Sequence, residues 1–237
     1  QCEWPDLQVY LTSVTEKWAT LSISGPHARR LLSELVEGVD LTAETFPHMA
    51  MREGRVAGID ARIFRVSFTG ELGYEVSVAN CYSLALWQAF LRVGENYDLT
   101  PIGIEALHVL RAEKGYIAVG HDTDGTTTPG DLGMDWIVST KKDFIGRRSL
   151  ARADSIRADR KHLVGLLLEA RVPEGAQIVA EHSRRPPMKM IGHVSSCYDS
   201  AALDRPIALA LIVGGRERMG ETVTIPLPVG NLYQKRA

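Results

Sequence analysis

The densest chemistry-bearing stretch of this 237-residue chain is residues 68–75, FTGELGYE. It sets two glycines and two carboxylates between strand-like runs, so a tight turn presents Glu71 while Glu75 resumes the strand. Glycine lets the backbone come close to a flat ligand or to a neighbouring strand. A carboxylate at that place can accept two adjacent N–H donors of a heterocycle as a charge-assisted, bidentate pair. The same residues also suit a plain hairpin turn whose Glu71 pairs with a surface Lys or Arg. The ligand reading predicts that Glu71 lines an internal cleft.

A second group lies in GIEALHVLRAEKG, residues 103–115, a predicted helix stopped by Gly115. Glu105, His108 and Arg111 are three apart and share one face. Arg111 sits near the helix C-terminus, where a cation is favoured. With Glu113 it is expected to be structural, bonding loop carbonyls or an acidic side chain within residues 122–124. His108 suits a general base, or a hydrogen-bonded structural residue. Asp122 and Asp124 in GHDTDGT are spaced like calcium ligands, but the Asp-x-Asp-x-Asp-Gly series with its distal Glu is missing. Asp and Thr in such a loop cap turns, and no bound metal is expected.

Several chemistries find no support. There is no His-Glu-x-x-His zinc spacing, and Gly-x-Ser-x-Gly, the Walker loop and Gly-x-Gly-x-x-Gly are absent. Cys2, Cys81 and Cys197 are odd in number and far apart, which fits neither a disulfide framework nor a Cys-x-x-Cys site and favours a reducing, cytoplasmic compartment. Trp18, Trp87 and Trp136 suit core or interface positions better than stacking platforms. Arg184, Arg185 and Lys189 around Pro186-Pro187 read as a solvated loop. Twenty-seven Lys+Arg against 29 Asp+Glu give a net charge of −2, so nothing global steers the chain to nucleic acid, and no run is long enough to span a membrane.

The elements that must position these residues alternate in the first half. Residues 7–13 and 17–24 have strand character. Ser24 is placed to cap a helix carrying Leu31, Leu32, Leu35 and Val36. Residues 55–68 suit two strands or one bent at Gly58. Residues 74–79 form a strand, and Asn80 caps a helix to Gly94. Residues 120–133 form a long structured loop, and 144–154 a short helix after a strand. From about residue 161 short apolar runs alternate with Pro and Gly turns, the pattern of a small antiparallel barrel or sandwich. The fold class is therefore α+β, with domains at 1–154 and 155–237. The chain opens without an initiator Met and closes on NLYQKRA without an obvious final element, so both ends read as cuts through a longer protein.

RVSFTGELGYEVSV resembles the Arg-x-Gly-Tyr-Thr-Gly-Glu-x-Gly-Tyr/Phe-Glu signature of the glycine cleavage T-protein, or aminomethyltransferase, superfamily. FPHMAMREGRVAG, TPIGIEALHVLRAEKGYIAVGHDTDGTTTPGDLGMDWIV and KKDFIGRRSLARAD are similar to the C-terminal part of the alpha subunits of heterotetrameric sarcosine oxidases, and GHVSSCYDSAALDRPIALALI to the family's second, β-rich domain. The likeness runs over essentially the whole chain. It implies a T-protein fold, a ferredoxin-like α+β part followed by a small antiparallel β-barrel, around a tetrahydrofolate channel. In such complexes a flavin outside this region oxidises sarcosine, and the released one-carbon unit is captured as 5,10-methylenetetrahydrofolate. Flavin and NAD are thus expected elsewhere in the parent complex, with the other sarcosine oxidase subunits and an upstream part of the alpha subunit as partners. The same module in a dimethylglycine or N-methylglutamate dehydrogenase, or a non-catalytic scaffold for subunit assembly, is the alternative.

Carried over by resemblance, Glu71 matches the glutamate that anchors the pterin ring, and Phe68 stands where the family has Tyr. Arg65, Thr69, Gly70, Gly73 and Glu75 complete the folate-binding segment and shape its turn. Along the family's Ala-Arg-Asp-x-Leu-Arg-x-Glu-x-Gly helix, Arg111, Glu113 and Gly115 agree. Leu107 and His108 replace an Arg that contacts folate and the following Asp. The aspartate that the family places near the reactive folate nitrogens has no match here, so the resemblance assigns no catalytic residue. It implies instead an isolated fragment that is a binding remnant at best and does not turn over.

Overall fold

The structure, a computed structural model, describes residues 5–180 and 187–226, and the backbone of 232–236. The expected solvated loop at Arg184 and Arg185 lies outside the described residues. Two compact units divide the chain, residues 1–103 and 104–237.

In the first unit, strands β1 (Trp18–Ser24), β2 (Val36–Glu37), β3 (Met51–Val56), β4 (Ile59–Phe64) and β5 (Gly73–Ala79) form one antiparallel sheet in the order β1-β5-β4-β3-β2. Helices α1 (Ala28–Ser33) and α2 (Ser83–Gly94) cover one face. Period-2 alternation decides which side chains meet them. Ile23, Ile63, Tyr74, Val76 and Val78 turn inward and pack with Leu31 and Leu32 of α1 and Leu86 and Phe90 of α2. Glu75 and Ser77 fall on the other face, where the Ser77 hydroxyl bonds that of Thr20 at 2.7 Å. Ala57 and Gly58, at φ 51° and 76°, connect β3 to β4 as a two-residue turn of the type that matches strand twist. Gly58 therefore makes a hairpin out of what the sequence left as two strands or one bent strand.

Two expectations fail here. Residues 7–13 alternate like a strand but form none, and Tyr10 and Leu11 are 94% and 82% exposed. Alternation specifies a strand only where a ladder partner and a buried face exist, and among the described residues this segment has neither. Helix α1 is also shorter than its apolar stripe. It starts after His27 without a side-chain cap, while Ser24 closes β1. Val36 leaves the helical path because β2 pairs it with Val56.

The second unit opens with α3 (Ile104–Glu113), continues through a long loop to the one-turn helix α4 (Arg147–Leu150), and then becomes all-β. The strand expected just before α4 does not form: among the described residues no strand lies between α3 and α4. Strands β6 (Lys161–Leu167), β7 (Gln177–Val179), β8 (Met190–Ser200), β9 (Arg205–Val213), β10 (Thr222–Pro226) and β11 (Leu232–Arg236) form an antiparallel sheet in the order β11-β10-β7-β8-β9-β6. Edge strands β11 and β6 approach each other, which curls the sheet toward a barrel around Leu166, Ile178, Val194, Ala210, Ile212 and Ile225. The final strand, β11, has no clear sequence signal. No helix of the described residues is long and apolar enough to cross a membrane.

Gly73 opens β5 where two backbones nearly touch. A Cβ there would lie 2.9 Å from the Val66 carbonyl oxygen and 3.0 Å from the Ser24 hydroxyl oxygen, so Gly73→Ala must push strands apart. Urea unfolding of Gly73→Ala is expected to show a loss of about 1–3 kcal/mol, the usual cost of overpacking. A midpoint equal to that of the parent chain would show that this approach is not constraining.

Candidate functional site

The signature segment joins β4 to β5, and its ends are pinned by backbone bonds. Arg65 N–H donates to the Ala50 carbonyl at 2.9 Å, and Met49 N–H donates to the Arg65 carbonyl at 2.9 Å. The Arg65 guanidinium donates to the Gly73 carbonyl at 3.1 Å and sits 5.5 Å from the centre of the Tyr74 ring. Tyr74 is itself fully buried and takes a hydrogen bond from Arg29 Nε at 3.0 Å. From the other side, Gly25 N–H donates to the Leu72 carbonyl at 2.9 Å.

Inside this frame Thr69 is buried, and its hydroxyl lies 3.3 Å from that of Ser67 and accepts the Glu71 N–H at 3.4 Å. Gly70 takes φ 77°, a conformation that strains any residue with a Cβ. This reversal delivers Glu71 to an exposed position. Glu71 does not line an internal cleft of the α+β unit, because Thr69 takes the inward place and the left-handed Gly70 turns the next residue out. Phe68 is half-buried in the same turn. Glu75 is a strand residue on the sheet face away from the helices, in register with Ser22 and Phe64. The six sequence-derived residues thus divide: Arg65, Thr69 and Gly70 build the turn, Phe68 and Glu71 are presented by it, and Glu75 belongs to the adjoining sheet face.

The second constellation is buried in the C-terminal unit. Arg111 is fully buried, and its guanidinium donates to Asp122, to the Tyr116 carbonyl at 3.1 Å, to the Ser196 hydroxyl at 2.7 Å and to the Tyr198 hydroxyl at 3.3 Å. Asp122, also fully buried, accepts the Ala118 N–H at 2.9 Å and the hydroxyls of Ser195 and Ser196, the latter at 2.8 Å. Arg111 therefore bonds the loop carbonyl and acidic side chain that its place on the helix predicted. Glu113 accepts from the Ser200 hydroxyl at 2.6 Å and the Ala202 N–H at 3.3 Å. His108 stacks on Tyr198, with ring centres 6.4 Å apart, and its buried Nδ1 has no hydrogen-bond partner. Sequence reasoning missed Ser195, Ser196 and Tyr198, since nothing in a strand pattern marks which residues answer a helix 85 positions away.

The intervening loop is capped as the Asp-Thr pattern suggests. Asp124 Oδ1 accepts the hydroxyl and N–H of both Thr126 and Thr127. Donation by Thr126, then Thr127, outweighs slight desolvation and lowers the Asp124 carboxyl from 3.8 to about 2. Burial would raise Asp131, but its hydrogen bonds with Arg160 and Thr128 win, so its pKa is lowered. Among the described residues no three His, Cys, Asp or Glu side chains stand together to hold a metal ion.

A family model described as "GCVT N-terminal domain" matches residues 1–142, more than half the chain. The chain belongs to the glycine cleavage T-protein family. The T-protein C-terminal barrel domain matches residues 161–236, which covers all the strands of the second sheet. The chain is 46% identical over 233 residues to the sarcosine oxidase subunit alpha of Corynebacterium sp. (strain P-1), covering 96% of this chain and 24% of that subunit. It is 29% identical over 229 residues to the aminomethyltransferase of Thermotoga sp. (strain RQ2), covering 97% of this chain and 60% of that protein. The chain thus spans about a quarter of the sarcosine oxidase subunits it matches. The crystal structure of the glycine cleavage system aminomethyltransferase T from Bartonella henselae superposes with a TM-score of 0.75 at 23% identity, over 92% of this chain and 58% of that one. This T-protein fold agrees with the α+β class read from the sequence.

Two outcomes follow from the buried pair and from the capped loop. Removing one member of a buried pair leaves the other charge uncompensated, at a cost of about 3–5 kcal/mol. Arg111→Met should show that loss in chemical unfolding, and Arg111→Met/Asp122→Asn should lose less than the two single variants together. Additive losses would mean the pair is not coupled. The second concerns pH. A carboxyl whose folded pKa is depressed stabilises fully above its unfolded value and loses that contribution as pH falls through the folded one. For Asp124 the window runs from 3.8 down to about 2. Thermal melts of the parent and Asp124→Asn chains should therefore converge as pH is lowered across it.

Proposed function

We propose that this chain is the tetrahydrofolate-binding, one-carbon-transfer region of a sarcosine oxidase alpha subunit. The observation that carries the reading is its likeness to sarcosine oxidase subunits alpha at 46%, 45% and 36% identity along nearly its whole length. In the full complex the reaction would be sarcosine + tetrahydrofolate + O2 → glycine + 5,10-methylenetetrahydrofolate + H2O2. Tetrahydrofolate, when bound, supplies the nucleophilic nitrogens that take up the one-carbon unit.

The residues of the signature turn fit such a ligand chemically. Glu71 offers an ionised acceptor to adjacent ring N–H donors, Phe68 an apolar surface beside it, and Arg65, Thr69 and Gly70 a turn that holds both. Pre-organisation of this kind lowers the entropic cost of binding. Oxidation of the amine belongs to a flavin outside the chain, with NAD, the remaining subunits and the upstream part of the alpha subunit completing a cytoplasmic heterotetramer. This chain's contribution is to bind and orient.

Calorimetry with tetrahydrofolate on the full-length subunit tests the assignment. Loss of charge-assisted hydrogen bonds in Glu71→Ala should cost roughly 1.5–3 kcal/mol, or about 10–100-fold in affinity, with far-ultraviolet circular dichroism unchanged. Equal affinity in parent and variant would remove Glu71 from the site. With sarcosine, the isolated chain should form neither peroxide nor methylenetetrahydrofolate.

A further inference from the structure

A cavity of about 450 Å³ lies within the C-terminal unit, lined by none of the signature-turn residues, between the outer face of the barrel and the loops that precede it. Strand pairing fixes its floor. Lys161 on β6 is opposite Val213 on β9, and His193 on β8 is opposite Leu211. Leu211 and Val213 are two apart on one strand, so all four side chains leave the same face of the sheet. The floor is apolar along β9 and carries one nitrogen base or cation on either side.

The opposite wall comes from residues 124–131 and 154–160. There Arg160 is occupied: it grips Asp131 through Nε at 2.7 Å and through Nη2, and donates to the carbonyls of Thr126 at 2.7 Å and Asp154 at 3.0 Å. Arg157 is held between Asp154 and Asp159, each at 3.4 Å. Asp124 is fixed by its threonines. Among the described residues this leaves the Lys161 ammonium and the half-buried His193 imidazole as the lining groups with no hydrogen bond or ion pair. All lie around a space large enough for a small organic molecule.

We propose that this cavity binds a small monocarboxylate, its anionic end between Lys161 and His193 and its short apolar body on Leu211 and Val213. A carboxylate would give both nitrogen groups a charge-assisted partner. The surrounding charges restrict its class. Asp124, Asp131, Asp154 and Asp159 stand against Arg157, Arg160 and Lys161, so the lining as a whole is slightly negative, and a dianion such as phosphate meets about twice the repulsion that a single charge meets.

The groups facing His193 also set a proton linkage. Desolvation lowers its pKa first, the Lys161 ammonium on β6 lowers it further, and Asp124 in the loop opposes them. An added anion favours the protonated imidazole, so His193 should take up a proton as ligand binds, and binding should tighten as pH falls.

The experiment titrates the full chain with sodium butyrate while NMR follows the His193 ring resonances, assigned by their loss in His193→Gln. The expected result is a saturable upward shift of the His193 pKa. It should weaken about tenfold in apparent affinity in Lys161→Gln, one charge-assisted bond removed, and be retained in Lys161→Arg. Excess inorganic phosphate should not compete. The absence of a saturable shift, equal affinity in Lys161→Gln, or displacement of butyrate by phosphate at comparable concentration would each overturn the proposal. Folding of every variant is checked by the dispersion of the remaining resonances.

Discussion

The buried pair of Arg111 and Asp122 is the interaction on which the C-terminal unit depends. A guanidinium and a carboxylate taken wholly out of water are tolerated only where nearly every donor and acceptor is answered. Here the answers come from three separate elements: the end of α3, the loop at 116–122, and β8. None of them can shift without stranding a charge. Within the pair itself only Arg111 Nε lacks a partner, which shows how close the arrangement is to complete. In a region with few apolar contacts to direct it, electrostatics fixes the path by which the long loop leaves the helix.

In the first unit the corresponding constraint is steric. The signature turn is held by backbone bonds to residues 25 and 49–50, and it can close only because Gly73 lacks a side chain. Conformation is therefore decided by the framework residues, while the turn leaves Glu71 exposed and Phe68 half-buried. That division leaves room for the side chains the turn presents to change while the turn persists, as with Phe68 where the signature has Tyr.

Much of this was legible beforehand, and what was not has identifiable causes. The helix at α3, its stop at Gly115, and the role of Arg111 followed from periodicity, a left-handed terminator and charge at a helix end. The α+β class and the β-rich C-terminal half followed from run lengths. Residues 7–13 misled because alternation reports a capacity to pair and not the presence of a partner. Exposed Glu71 misled because burial was inferred from chemistry, whereas a left-handed glycine decides direction. The core of β8 was hidden for a geometric reason. Ile191, Val194 and Cys197 share one core though spaced by three, a spacing no regular strand allows. Two shifts of register, at Ile191 against β7 and at Ser195 against β9, reset the alternation between them.

The second of those shifts makes chain length itself part of the charge network. In an unbroken strand, consecutive serines would point to opposite sides of the sheet. The extra residue in β8 turns the backbone so that Ser195 and Ser196 both reach Asp122. Deleting one residue here would restore a regular ladder yet withdraw one hydroxyl from a sealed carboxylate, while every conservative exchange elsewhere in the strand leaves that count intact. Outside Ser195, Ser196 and Tyr198, evolution along this strand is thus free to trade side chains but not to lose a position, so gaps in alignments of relatives should avoid β8 between Val194 and Ser196.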